Sequence, residues 1–245
     1  MNIKKSNFQI ILPIVGRDDA EILKDCQNLS KLKVNTIEWR ADCYNNYKDI
    51  NRTLEISKRI KEILSDKDLI FTLRSKGQGG NGIFKQSFQE ILIKNLLDND
   101  IFSIYDIEFN NSKDFLKDMN TLIRDYNKLS LLSLHNFENT PDFMNIINTL
   151  EDMDKLNFNI IKYITWSNSY EDSLRILNAT DEFRKKTDKR LIIMAMGDFG
   201  KMTRILSPLF GSFYTFSYYS KNSAKGQISY ENMLKIYEEI LWRLK

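Results

Sequence analysis

Short apolar runs rich in β-branched and aromatic residues alternate along the chain with longer stretches in which apolar positions recur three and four apart. The runs are FQIILPIV (8–15), VNTIEWRAD (34–42), LIFTLRS (69–75), FSIYDIEF (102–109), KLSLLSLHNF (128–137), IIKYITW (160–166), RLIIMAMGD (190–198) and FYTFSYYS (213–220). Each has the length and residue types of a buried strand. The stretches between them carry helical periodicity, as in Ile56, Ile60, Ile63 and Leu64 of segment 50–65. Thr140 followed by Pro141 is placed to be the N-cap and first-turn proline of a helix over 141–155. A last helix is expected over 229–244, opening at Ser229 and carrying Met233, Leu234, Ile236, Tyr237, Ile240 and Leu241.

Strand starts recur about every 25–35 residues, the length of one βα unit, which implies a parallel sheet. Eight such units in about 250 residues is the size of a closed (β/α)8 TIM barrel. A doubly wound open sheet is the alternative, but the first turn, Val15-Gly16-Arg17-Asp18-Asp19, lacks the spaced glycines of a dinucleotide fingerprint. With three prolines and no linker-like stretch, one domain over 1–245 is expected. In such barrels chemistry sits at the C-terminal ends of the strands, so polar residues late in a strand become candidates.

Composition narrows the function classes. The 245 residues are 42% hydrophobic and 28% charged, as in ordinary globular proteins. The net charge of +3 comes from 36 basic and 33 acidic residues spread throughout, with no basic block interleaved with aromatics, so no nucleic-acid partner is expected. No apolar stretch approaches the roughly 18 residues a membrane span needs. The opening MNIKKSNFQIILPIVGRDD reads as a buried strand, since its apolar run holds Gln9 and Pro13 and leads into Arg17-Asp18-Asp19. Cys26 and Cys43 fit neither a metal spacing nor a disulfide framework and suggest a reducing, cytoplasmic compartment.

The strand ends carry the chemistry. In the second run Glu38, Arg40 and Asp42 share one face and Trp39 takes the other, a costly arrangement unless the charges pair in a surface ladder or line a wet site. The third run ends at Arg74 and leads into Ser75-Lys76-Gly77-Gln78-Gly79-Gly80, a lid or simply a turn; the fourth places Asp106 and Glu108 on one face. His135 is the only histidine, a residue more often structural than catalytic, and Lys162 follows one βα unit later. Met194 and Met196 read as core filler first and as adaptable pocket wall second, ahead of Gly197-Asp198-Phe199-Gly200 and Arg204.

Lys162 is the anomaly, one ammonium inside IIKYITW. It can pair with a carboxylate, snorkel, or sit desolvated as a free amine able to attack a carbonyl. Arg40, Arg74, Arg204 or a protonated His135 would favour the third state, and an imidazole beside an imine could move the α-proton. Class I aldolases use the same principle. Strand alternation sends Ile160, Lys162 and Ile164 into the barrel, and Ile161, Tyr163 and Thr165 toward the helices.

Taken together, IEWRAD (37–42), TLRSKGQGG (72–80), SLHNFENTP (133–141), IIKYITW (160–166), MAMGDFGKMTR (194–204) and FGSFYTFSYYSKNSAKGQIS (210–229) resemble, in order and over almost the whole chain, the type I 3-dehydroquinate dehydratases. The resemblance implies a Schiff-base dehydration of 3-dehydroquinate to 3-dehydroshikimate by syn elimination, in aromatic biosynthesis or quinate breakdown. It puts Lys162 on the imine-forming lysine, His135 on the general acid/base and Arg204 on the arginine that grips the substrate carboxylate. Glu38, Arg40, Arg74, Ser223 and Gln227 fall on residues contacting the ring hydroxyls and carbonyl region. No metal or organic cofactor is implied, because the protonated imine is the electron sink, and a homodimer is expected.

The chain departs from the family pattern at Gln78, where Glu is common, at Asn136, where Asp is common, and at Lys225, where a proline is usual. Its N-terminus is short, so the family's leading β-hairpin is expected to be reduced or absent. Two other readings remain. An aldolase acting on a sugar phosphate would need a glycine-rich phosphate cradle after strands 7 and 8, and none is evident. A barrel that binds a quinate-like acid without turnover is the other.

Overall fold

Every expected apolar run forms a strand. The computed structural model describes residues 8–220 and 224–242. The strands are β1 (Gln9–Ile14), β2 (Thr36–Arg40), β3 (Asp68–Thr72), β4 (Ile104–Glu108), β5 (Leu129–His135), β6 (Ile160–Trp166), β7 (Arg190–Met196) and β8 (Tyr214–Phe216). The helices are α1 (Asp19–Leu29), α2 (Ile50–Ile63), α3 (Gln86–Asp98), α4 (Lys113–Asp125), α5 (Phe143–Asp154), α6 (Tyr170–Phe183), α7 (Gly197–Phe210) and α8 (Tyr230–Trp242). All ladders are parallel, in the order β7-β6-β5-β4-β3-β2-β1-β8, and the helices alternate with the strands. This is the (β/α)8 barrel.

The remaining seam, between β7 and β8, has no ladder and is stitched instead by single bonds. The Phe213 N–H donates to Leu191 O at 2.8 Å, and Ser212 Oγ accepts from the Ile193 N–H at 3.1 Å.

Alternation along the strands separates two cores. Ile11, Ile70, Ile104, Leu131, Ile160 and Ile192 fill the barrel, while Leu12, Trp39, Phe71, Tyr105, Ile161 and Ile193 pack under the helices. On β6 the expected sides are found: Ile160 and Ile164 belong to the inner cluster, and Ile161 and Tyr163 to the outer one. Thr165 faces outward as well, its hydroxyl 2.9 Å from that of Thr140.

Two boundaries differ from expectation. Helix α5 starts at Phe143 with Asp142 as its cap, whose carboxylate accepts from the Asn145 N–H at 2.9 Å. Thr140 is instead tethered to β6, bonding Trp166 O at 2.9 Å, and so is not free to cap. Strand β8 stops at Phe216 because the chain beyond it pairs with its own returning segment: the Tyr218 N–H donates to Ile228 O at 3.2 Å and Ser217 Oγ to the same oxygen at 2.5 Å. The expectation for the leading hairpin concerns residues 1–7, which lie outside the described residues. Among the described residues no helix is long and apolar enough to cross a membrane.

Candidate active site

Lys162 rises from the middle of β6 into the barrel mouth and is 5% exposed. Its Nζ lies 3.1 Å from Glu38 Oε1 and 3.7 Å from Asp106 Oδ2, and 4.4 Å above the ring of Phe216 on β8. Of the three states open to a lysine in this run, pairing with a carboxylate is the one adopted. Thr72 Oγ1, 3.0 Å from Glu38 Oε1, holds the same oxygen from below.

The β5–β6 register sets Ser133 beside Lys162 and His135 beside Ile164, so the imidazole stands one step nearer the mouth than the amine. Its backbone N–H donates to Gln78 Oε1 at 2.8 Å. Its Nδ1 is buried and meets no hydrogen-bond partner among the described residues. Burial, with the positive charges of Arg74, Lys162 and Arg40 behind it, drives the His135 pKa well below its ordinary 6.5. The imidazole is therefore neutral at neutral pH, the state of a base.

Gln78 belongs to the glycine-rich segment, which forms one tight turn, Lys76–Gln78, closed by Gly79 at φ 77°. A Cβ at Gly79 would stand 2.0 Å from Phe137 Cζ, so the turn docks directly on the residue that follows β5. The segment is a fitted turn.

The other arginines divide into spent and unspent charges. Arg40 binds Asp42 through both Nε and Nη2 at 2.8 Å, and Asp42 also accepts the backbone N–H groups of Arg74 and Asn81. Burial alone would lower the Arg40 pKa, but Asp42 outweighs it and holds the guanidinium above its ordinary range. Asp42 thus serves Arg40 and does not line the cavity.

Arg74 is clamped more fully. Its Nη2 pairs with Asp106, and its Nη1 reaches Glu108 at 3.1 Å and Ser133 Oγ at 2.7 Å. Ser133 in turn donates to Asp106 Oδ1 at 2.5 Å. The Asp106–Glu108 face read from β4 is therefore the counter-charge of Arg74, a link that the separate strands did not announce.

Arg204, on α7, contrasts with both. It is 2% exposed, and its Nη1 approaches the Met194 sulfur at 3.3 Å. Its Nε has no hydrogen-bond partner, and no carboxylate pairs with it among the described residues. Burial pulls its pKa down to about 10. Its backbone carbonyl is fixed by Thr215 Oγ1 at 2.7 Å and Tyr237 OH at 3.1 Å.

These groups line one cavity of about 130 Å³ at the C-terminal mouth, with Lys162, His135, Glu38, Arg40, Arg74 and Arg204 in its wall. Gln227 also reaches it, its Oε1 accepting from the Ala224 N–H at 3.2 Å. Ser223 lies outside the described residues. Met194 and Met196 line the cavity too, so they are pocket wall as well as filler. The sequence reading missed Phe216 and Ser133; Ser133 was recoverable, since it precedes His135 by two and must share its face. No group of three or more His, Cys, Asp or Glu side chains among the described residues could hold a metal ion.

An amine, an imidazole and an unspent guanidinium around one small mouth cavity are the groups that a Schiff-base-forming (β/α)8 lyase requires. The family model for type I 3-dehydroquinase matches residues 10–241, and the chain belongs to that family. A 3-dehydroquinate dehydratase of Geobacillus thermodenitrificans is 31% identical over 233 residues, covering 95% of this chain and 90% of the relative. The crystal structure of the 3-dehydroquinate dehydratase from Geobacillus kaustophilus has a TM-score of 0.93 at 27% identity, covering 97% and 92% of the two chains. That of the type I enzyme from Clostridium difficile, solved with covalently modified comenic acid, has a TM-score of 0.91 at 26% identity, with 96% and 92% covered. The family's activity, a hydro-lyase dehydration of 3-dehydroquinate through a Schiff base in the shikimate pathway, is the activity of this chain.

Proposed function

We propose that Lys162, His135 and Arg204 divide this reaction among them. Arg204 takes the substrate carboxylate. Lys162 condenses with the C3 ketone: ammonium and ketone give a protonated imine and water, so the positive charge stays on nitrogen. Attack requires one proton to leave Nζ first, and Glu38 Oε1, 3.1 Å away, is the acceptor within reach. His135 then removes a C2 proton, the enamine expels the C1 hydroxyl, and His135 returns the proton to it as water leaves. Hydrolysis of the imine frees Lys162 and the product. Glu38, Arg40, Arg74, Ser223 and Gln227 contact the ring hydroxyls and carbonyl region in this reading.

The observation that carries it is the unspent charge of Arg204. A buried guanidinium without a carboxylate is costly to hold, and an anionic ligand relieves that cost. The test is an ultraviolet assay for dehydroshikimate with the wild type and with Lys162→Ala. Turnover by the first and none by the second is expected; equal turnover would contradict the assignment.

The whole chain is proposed to act as one catalytic unit, resident in the cytoplasm, and to pair as a homodimer. Exposed Tyr170 and Leu174 on α6 beside Phe199 on α7, with the two rings 5.0 Å apart, give an apolar surface for such pairing. Sedimentation at micromolar concentration checks it: a monomer mass throughout would contradict the dimer.

A further inference from the structure

Phe216 is buried, lines the cavity and presents its ring face to Lys162 Nζ at 4.4 Å, while Glu38 Oε1 approaches the same nitrogen at 3.1 Å. Nothing in the family assignment gives this ring a task. We propose that Phe216 is a positioning residue for the reaction, its π face holding the Lys162 nitrogen as the resting ammonium and again as the iminium once the imine has formed. The proposal rests on Lys162 being the imine-forming residue.

The reason is a change in the nitrogen's hydrogen count. When ammonium and ketone give iminium and water, the N–C bond forms, the carbonyl oxygen leaves with two of the nitrogen's three protons, and the charge of +1 is kept. The ammonium donates to Glu38 at 3.1 Å and faces Asp106 at 3.7 Å, an ion pair beyond hydrogen-bond length, so it keeps N–H groups to spare. The iminium retains one N–H and can donate toward only one acceptor. Its charge is as large as before but its N–H groups are fewer, so a weakened ring contact that the ammonium can offset by turning a proton to another acceptor goes uncompensated in the iminium. A ring face attracts charge through its quadrupole and needs no hydrogen aimed at it. Phe216 is therefore the contact whose share of the stabilisation grows as the imine forms. It also closes one side of the nitrogen, leaving the cavity side open for the ketone.

The test replaces Phe216 in the full-length enzyme with mono-, di- and trifluorinated phenylalanines, which drain the ring quadrupole with little change of shape. Phe216→Leu removes the ring altogether. Borohydride trapping at saturating dehydroquinate reads the fraction of enzyme held as imine, alongside kcat and KM. Only the difference between ammonium and iminium on the ring shows in that fraction, so we expect it and kcat to fall stepwise with each fluorine, and the loss in Phe216→Leu to stay within the about 2- to 30-fold that a whole cation–ring contact is worth. KM should move less. A flat response across the fluorinated series, even with a large loss in Phe216→Leu, would mean that the ring only packs, and would overturn the proposal. Absence of any adduct in the wild type would overturn the role of Lys162 instead, so the two failures are distinguishable.

Discussion

Lys162 Nζ on β6 and Glu38 Oε1 on β2 stand 3.1 Å apart across the barrel, joining strands four places apart in the sheet order. Both side chains are under a tenth exposed, so the pair belongs with buried bridges, where removing one partner strands a charge. Glu38→Ala should cost about 3–5 kcal/mol of stability, since Asp106 at 3.7 Å compensates Lys162 only in part. Urea unfolding checks this. A loss below about 1 kcal/mol would rank the pair with exposed bridges and contradict its burial.

Arg204 should behave in the opposite sense toward stability. Arg204→Met removes a buried cation that no carboxylate compensates, so the substrate-free variant should melt higher than the wild type. Its kcat/KM should fall by the equivalent of about 2–5 kcal/mol, the usual result of truncating one side of a buried charge pair. A pH effect accompanies it. Burial pushes the Arg204 pKa down to about 10 from its ordinary value, so the folded protein loses this proton before the unfolded chain does. KM should rise as pH passes about 10, while this group makes stability rise with pH above about 10 until the unfolded chain loses the same proton. A KM unchanged up to pH 12 would contradict the desolvation of Arg204.

The pKa of His135 lies well below 6.5, so between that lowered value and 6.5 the unfolded chain binds the proton that the folded one does not. This group therefore makes stability rise with pH up to about 6.5 and has no further effect above it. The acid limb of kcat/KM, which reports the free enzyme's base, should fall below pH 6.5. A limb centred at or above 6.5 that vanishes in His135→Ala would contradict the lowered value. The same variant should still form the imine yet lose roughly 10²–10⁴-fold in turnover, the usual contribution of a general acid–base group.

Much of this site was legible in the chain because strand alternation is a local property. Period two alone placed Lys162 inward between Ile160 and Ile164, and put Glu38 on the face opposite Trp39. What the sequence did not show depends on register and closure, which no single strand encodes. The clamp on Arg74 needs β3, β4 and β5 side by side, so Asp106 and Glu108 read only as a charged face until their partner stood next to them. Phe216 was hidden for the same reason: β8 meets Lys162 across the barrel interior, and an aromatic in an apolar run carries no sign of a cation above it. Thr140 was misread because a hydroxyl before a proline satisfies the capping pattern, whereas its actual partners lie on β6, 25 or more residues away.

The identity of Lys162 as the reacting amine is tested most directly by incubating the enzyme with 3-dehydroquinate and borohydride, then mapping the adduct by peptide mass spectrometry. One reduced substrate-derived adduct per chain, located on Lys162 and absent from Lys162→Ala, is the expected result. An adduct on another lysine, or one that persists in Lys162→Ala, would contradict it.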